Sequence, residues 1–106
     1  MDIADWRKQI DEIDRLLVEL LNRRARAAHE IGKIKRPAGM PIYEPDRERT
    51  VFANAMKANK GPLPDVDLMR IYERIMDIMR KIQQEEIAPV ADAAVHDTEL
   101  DSDVND

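Results

Sequence analysis

From Ile3 to Ile34 the apolar residues of this chain recur at alternating steps of three and four, as Ile3, Trp6, Ile10, Ile13, Leu17, Leu20, Ala27, Ile31 and Ile34. That spacing keeps one face of an α-helix apolar and predicts a single helix of about 32 residues. At about 1.5 Å per residue it runs roughly 48 Å, whereas a compact domain of this length spans about 35 Å. A helix that long carries apolar surface beyond its own domain. The simplest remedy is burial against a second copy across a two-fold axis, with the first helices antiparallel.

Pro37, Gly39 and Pro41 predict the end of this helix and a loop, and Glu44-Pro45 predicts a second helix, because proline suits a first helical turn. The second helix turns Val51, Phe52, Ala55 and Met56 inward and stops at Gly61-Pro62. Asp65 and Asp67 favour the start of a third helix, in which Leu68, Ile71, Ile75, Ile78 and Ile82 repeat the three-four spacing. The expected fold class is all-α, with three helices per chain, a long first helix and an intertwined antiparallel homodimer. Residues 1–88 form the expected domain. The periodicity fails beyond Pro89, so 89–106 reads as an acidic, disordered tail.

Composition narrows the function. The 106 residues suffice for one domain with a modest core. Trp6, Tyr43, Phe52 and Tyr72 are the only aromatics, so that core must come from Leu, Ile, Met and Ala, which suits helices better than a sheet. Of the 22 acids behind the net charge of -5, six (Asp92, Asp97, Glu99, Asp101, Asp103 and Asp106) lie in the tail, which has no Lys or Arg. The body therefore balances 17 basic against 16 acidic residues, which argues against a basic nucleic-acid surface and leaves any anion site local. No stretch approaches the roughly 20 apolar residues of a membrane span, and Met1-Asp2-Ile3-Ala4-Asp5 lacks the marks of a secretory signal. The expected location is cytoplasmic. With no cysteine there is no thiolate metal site, and His29 and His96 are too far apart and too poorly supported by acids to suggest another, so both read as solvated and no metal or cofactor is expected.

Four cations stand where a structural helix prefers other residues. The first apolar seam calls for an aliphatic at position 24 and meets Arg24; Arg7 and Lys35 flank the seam at equivalent heptad places, and Arg47 lies one turn before Val51. All four are expected to face inward. Arg7 and Lys35 are roughly 42 Å apart along one helix, but in an antiparallel pair centred near Leu21 the partner's Arg7 lands beside Lys35. Arg24 lies about 16 Å from Lys35 on nearly the same azimuth, a gap that two long side chains and a small dianion can bridge. Buried cations without enough acids demand an anionic ligand, and arginine favours planar acceptors such as carboxylates. Ordinary salt bridges, Arg24 with Glu48 and Arg7 with Asp11, remain the open alternative on periodicity alone.

The series Arg7-Lys8-Gln9-Ile10-Asp11-Glu12-Ile13-Asp14, Leu20-Leu21-Asn22-Arg23-Arg24, Ile31-Gly32-Lys33-Ile34-Lys35, Tyr43-Glu44-Pro45-Asp46-Arg47-Glu48, Gly61-Pro62-Leu63 and Arg80-Lys81-Ile82-Gln83 resembles the all-helical chorismate mutases over roughly residues 3 to 87. The resemblance implies conversion of chorismate to prephenate, within phenylalanine and tyrosine biosynthesis. This is a Claisen rearrangement that needs no nucleophile or metal, only a compact chair-like conformer and stabilisation of charge on the ether oxygen. By the same resemblance, Lys35 and Gln83 donate to the ether oxygen and Glu48 accepts from the substrate hydroxyl, to which Glu44 also makes contact. Arg24 and the partner's Arg7 clamp the two carboxylates, reinforced by Arg47. Met79 stands where the family commonly has a serine, so it either repacks the rim of the site or simply fills the core. Tyr43 is expected to pack its loop against the helices, with a lid role as the alternative, and Trp6 to anchor the core or the dimer interface. Two rival functions fit the same residues: an isochorismate pyruvate lyase, which uses a similar pocket, and a non-catalytic helical dimerisation module.

Overall fold

The computed structural model describes residues 1–85, which form three α-helices and, among the described residues, no strand: α1 (Ile3–Ala38), α2 (Pro45–Ala58) and α3 (Asp65–Gln84). The tail expected over 89–106, with His96, lies outside the described residues. No described helix is long and apolar enough to cross a membrane. Two compact units are present, one containing Met1–Arg26 and the other Ala27–Glu86.

In the first unit the helix starts on a reciprocal cap. The Asp5 N–H donates to Asp2 Oδ1 at 3.0 Å and the Asp2 N–H donates to Asp5 Oδ2 at 3.1 Å, two aspartates doing what a Ser and a Glu do in a capping box. None of residues 1–26 is buried. The apolar seam is open along its length, with Trp6 54% and Leu17 51% exposed.

The second unit holds the core. Its buried residues are Ala28, Gly32 and Lys35 on α1, Ala55 on α2, and Met76 and Met79 on α3. Val51, Phe52 and Met56 lie half-buried beside Ala55, on the face of α2 expected from the sequence. The second-unit part of α1 departs from expectation, and α3 does so in part. On α1 the anticipated seam of Ala27, Ile31 and Ile34 is exposed, Ile34 at 67%, and the buried stripe is Ala28, Gly32 and Lys35, one residue further on. On α3 the expected Leu68, Ile75 and Ile82 are half-buried, but Ile71 and Ile78 are exposed, and the buried residues are Met76 and Met79, with Tyr72 and Gln83 half-buried. Moving one residue along a helix turns the face by about 100°. Within the unit, α1 therefore packs through its small residues, and its isoleucines are left outward.

Gly32 shows why small residues win. A Cβ built on it lies 2.5 Å from the Gln83 carbonyl oxygen and 2.8 Å from the Gln83 Cα, so only glycine lets the backbone of α3 come this close.

Both connections are built from caps. Pro37 falls in the last turn of α1 and does not stop it; Gly39, at φ 67°, does. The Met40 N–H bonds the Lys35 carbonyl at 3.0 Å and the Gly39 N–H bonds the Arg36 carbonyl at 3.2 Å, the paired bonds of a Schellman motif. Helix α2 ends at Asn59, ahead of the expected Gly61-Pro62. The Asn59 side chain donates to the Leu63 carbonyl and to Asp65 Oδ1 and accepts from the Gly61 N–H, tying the end of α2 to the start of α3.

Candidate active site

Lys35 is the one buried charged side chain among the described residues, with 6% of its surface exposed. The Schellman cap places it on the final turn of α1, where its ammonium reaches two other elements. Nζ donates to Glu44 Oε1 at 2.5 Å and to Gln83 Oε1 at 3.1 Å. A buried ammonium needs such partners, since desolvating an unpaired charge costs several kcal/mol. Two of its three protons are engaged and one remains.

Glu44 occupies the N-cap position of α2, where an acid ordinarily closes the helix's own N–H groups, yet its side chain makes no capping bond and turns to Lys35. Pro45 at the first helical position has no N–H to satisfy, which lessens the loss. Gln83, on the last turn of α3, spends its amide oxygen on Lys35, so its NH2 donors remain for another acceptor. Lys35, Glu44 and Gln83 are thus assembled from α1, the N-cap of α2 and α3, with two kinds of donor side by side. Glu44, which the resemblance assigns a contact to the substrate hydroxyl, engages Lys35 through its carboxylate.

A second charged pair stands beside α2. Glu48, on the first turn of α2, accepts from Arg80 Nη1 at 2.5 Å. Arg80 also holds Asp77 on its own helix, and its guanidinium lies over the Tyr43 ring, 5.5 Å from the centroid. The bond to Glu48 raises the Arg80 pKa above its ordinary value, outweighing the opposing effect of burial. Glu48 is therefore matched by an arginine that the spacing argument had overlooked. Tyr43 is exposed and stacks beneath this arginine.

The inward address expected of four cations holds, within the chain, for Lys35 alone. Arg24 is half-buried, Arg7 and Arg47 are exposed, and among the described residues no Arg7–Asp11 salt bridge forms. Met79 is 6% exposed and packs in the core of its unit. His29 is half-buried, not solvated, and its Nδ1 is covered with no hydrogen-bond partner. Among the described residues no group of three or more His, Asp or Glu side chains is placed to hold a metal ion.

Three residues near the site have no role assigned from the sequence. Gly32 sets the approach of α1 to α3, and a glycine inside a helix, costing about 1 kcal/mol against alanine, was the available signal. Arg36 donates through Nη1 to the Gln83 main-chain carbonyl at 2.6 Å, supplying a partner to the last turn of α3. Arg80 lies three residues before Gln83, and that spacing on one helix face was its only sign.

Known proteins resemble this chain in both sequence and fold. A bifunctional chorismate mutase/prephenate dehydratase of Aquifex aeolicus is 37% identical over 98 residues, covering 85% of this chain and 27% of that protein. A second bifunctional relative, from Neisseria gonorrhoeae, is 41% identical over 70 residues, and this chain spans 19% of its length. A protein named chorismate mutase from Methanocaldococcus jannaschii is 29% identical, with 78% of this chain and 85% of the relative aligned. Among solved structures, chorismate mutase (form II) of Thermus thermophilus superposes with a TM-score of 0.76 at 30% identity, covering 79% of this chain and 96% of the other. The family model for chorismate mutase type II matches residues 6–84, helices, charged cluster and all, so the chain belongs to the chorismate mutase type II family.

Proposed function

We propose that this chain converts chorismate to prephenate, by positioning and electrostatics alone, in a site completed by a second copy of itself. The observation that carries the reading is the buried Lys35 ammonium joined to Gln83 within a member of this family. Lys35 keeps one proton and Gln83 its amide protons, so the two form a pair of donors for an ether oxygen on which negative charge grows as the carbon–oxygen bond breaks. Donors fixed by buried neighbours need no reorganisation at that moment. Glu48 is the acceptor proposed for the substrate hydroxyl.

Charge balance calls for further cations at the site. Lys35 and Arg80 are cancelled by Glu44 and Glu48, so this cluster alone offers a dicarboxylate no net attraction. Arg24, Arg47 and the Arg7 of a partner copy are proposed to supply the missing charge, with the arginine forks clamping the carboxylates. The open seam of α1 supports the pairing. Each Ile or Leu from Ile3 to Leu20 that became buried against a partner would contribute about 1.5–3 kcal/mol, and an unpacked helix is marginal in water. An antiparallel pair centred near Leu21 brings Arg7 of one copy to Lys35 of the other.

Purified protein supplied with chorismate and, separately, isochorismate tests the reading. Chorismate loss with prephenate appearing is expected. Pyruvate release from isochorismate outpacing chorismate loss would transfer the site to lyase chemistry, and inactivity on both would leave a non-catalytic module.

A further inference from the structure

We propose that Arg80 is a positioning residue for Glu48, holding one carboxylate oxygen so that the other is presented to the substrate hydroxyl; this rests on the function proposed above. Arg80 Nη1 engages Glu48 Oε2 at 2.5 Å, while Oε1 accepts no hydrogen bond among the described residues. The Glu48 side chain is only 17% exposed, so its charge is largely taken from water and requires a cation. Arg80 is that cation, and apart from Glu48 it is held from two directions: by Asp77 one turn back on α3 and by the Tyr43 ring before α2. A planar guanidinium fixed at two further points holds its carboxylate partner in one orientation, which a flexible point charge does not.

The pair also has an electrostatic purpose. An anionic dicarboxylate approaching Glu48 would meet a like charge, and Arg80 cancels it without removing the acceptor. Arg80 Nη1 and Nη2 each give a hydrogen bond to an acid and the guanidinium lies over the Tyr43 ring, so its orientation is set by Asp77 and Tyr43 as it engages Glu48. Arg80 therefore acts through Glu48.

The test is a double-mutant cycle on chorismate turnover with Arg80→Gln, Glu48→Gln and the double variant, each checked by thermal unfolding. Arg80→Gln is expected to lower kcat/KM about tenfold. In the Glu48→Gln background the same change should cost almost nothing, since the carboxylate it positions is gone. Arg80→Lys should recover part of the loss. If Arg80→Gln fails to fold, Arg80→Lys compared in the two backgrounds supplies the same contrast. Equal losses in both backgrounds, or no loss in either, would overturn the proposal while leaving an active wild type and the proposed function intact. A folded wild type that leaves chorismate unchanged would instead remove the proposed function, and this inference with it.

Discussion

Lys35, the residue proposed to carry the chemistry, shows how local structure makes a buried charge tolerable. Its carbonyl is tied by the cap of α1, its ammonium by Glu44 and Gln83, and its neighbour Arg36 holds the main chain of Gln83. Replacing Lys35 by Ala is expected to leave a folded protein, because the lost ammonium frees a half-exposed Glu44, while kcat falls by roughly a hundredfold or more. Circular dichroism together with the chorismate assay checks both halves of that statement. Gly32 gives a contrasting expectation. Gly32→Ala forces a methyl to within 2.5 Å of the Gln83 carbonyl, so α3 must shift. A stability loss of about 1–3 kcal/mol is expected, with kcat falling because Gln83 moves with its backbone. Denaturant unfolding and turnover of the same sample measure it, and a variant as stable and as active as the wild type would contradict the packing described. Arg80 bears on pH. Its pKa is raised by Glu48, so the pair's contribution to stability is complete below the ordinary arginine range and is lost only as pH climbs through a still higher value; titration across pH 6 to about 10 should leave it unchanged. The sequence pattern found Lys35 as a cation out of place. It was silent on Arg80 and Arg36, because nothing in a periodicity says which acid or carbonyl a surface arginine will meet across a helix pair.

At the scale of the helices, type and order were readable from the sequence, and the buried faces only in part. The three-four spacing, Pro45 at the start of α2 and the acids at the start of α3 account for three helices in the observed order. Heptad arithmetic, however, finds the greasiest stripe and assumes it is the buried one. On α1 and α3 the intrachain contact uses the neighbouring stripe of Ala28, Gly32, Lys35, Met76 and Met79, since close backbone approach at Gly32 is available there and bulky isoleucines would prevent it. The stop of α2 was misplaced for a related reason: Gly61-Pro62 is the conspicuous punctuation, but the hydrogen bonds of Asn59 make the turn. Asn59→Ala is therefore expected to lower stability by about 1–3 kcal/mol, leaving KM and kcat unchanged at temperatures where the protein remains folded. Thermal melts beside steady-state kinetics check this, and altered kinetics without a lower Tm would assign the asparagine a different role.

For the molecule as a whole, the decisive feature is an apolar seam without a cover. None of residues 1–26 is buried, and in the second unit Ile31 and Ile34 are 44% and 67% exposed. Two copies joined along that stripe would both hide it and bring Arg7 to the neighbouring Lys35, so assembly and catalysis are proposed to be the same event. Subunit exchange tests this most directly. Arg7→Ala and Lys35→Ala proteins, each inactive alone, are mixed in equal amounts and allowed to exchange, with mixed dimers verified by a mass or affinity label. A shared site predicts that each mixed dimer regains one intact site, so activity returns to about a quarter of the wild-type level. Mixed dimers demonstrably present and still inactive would contradict a site built from two chains.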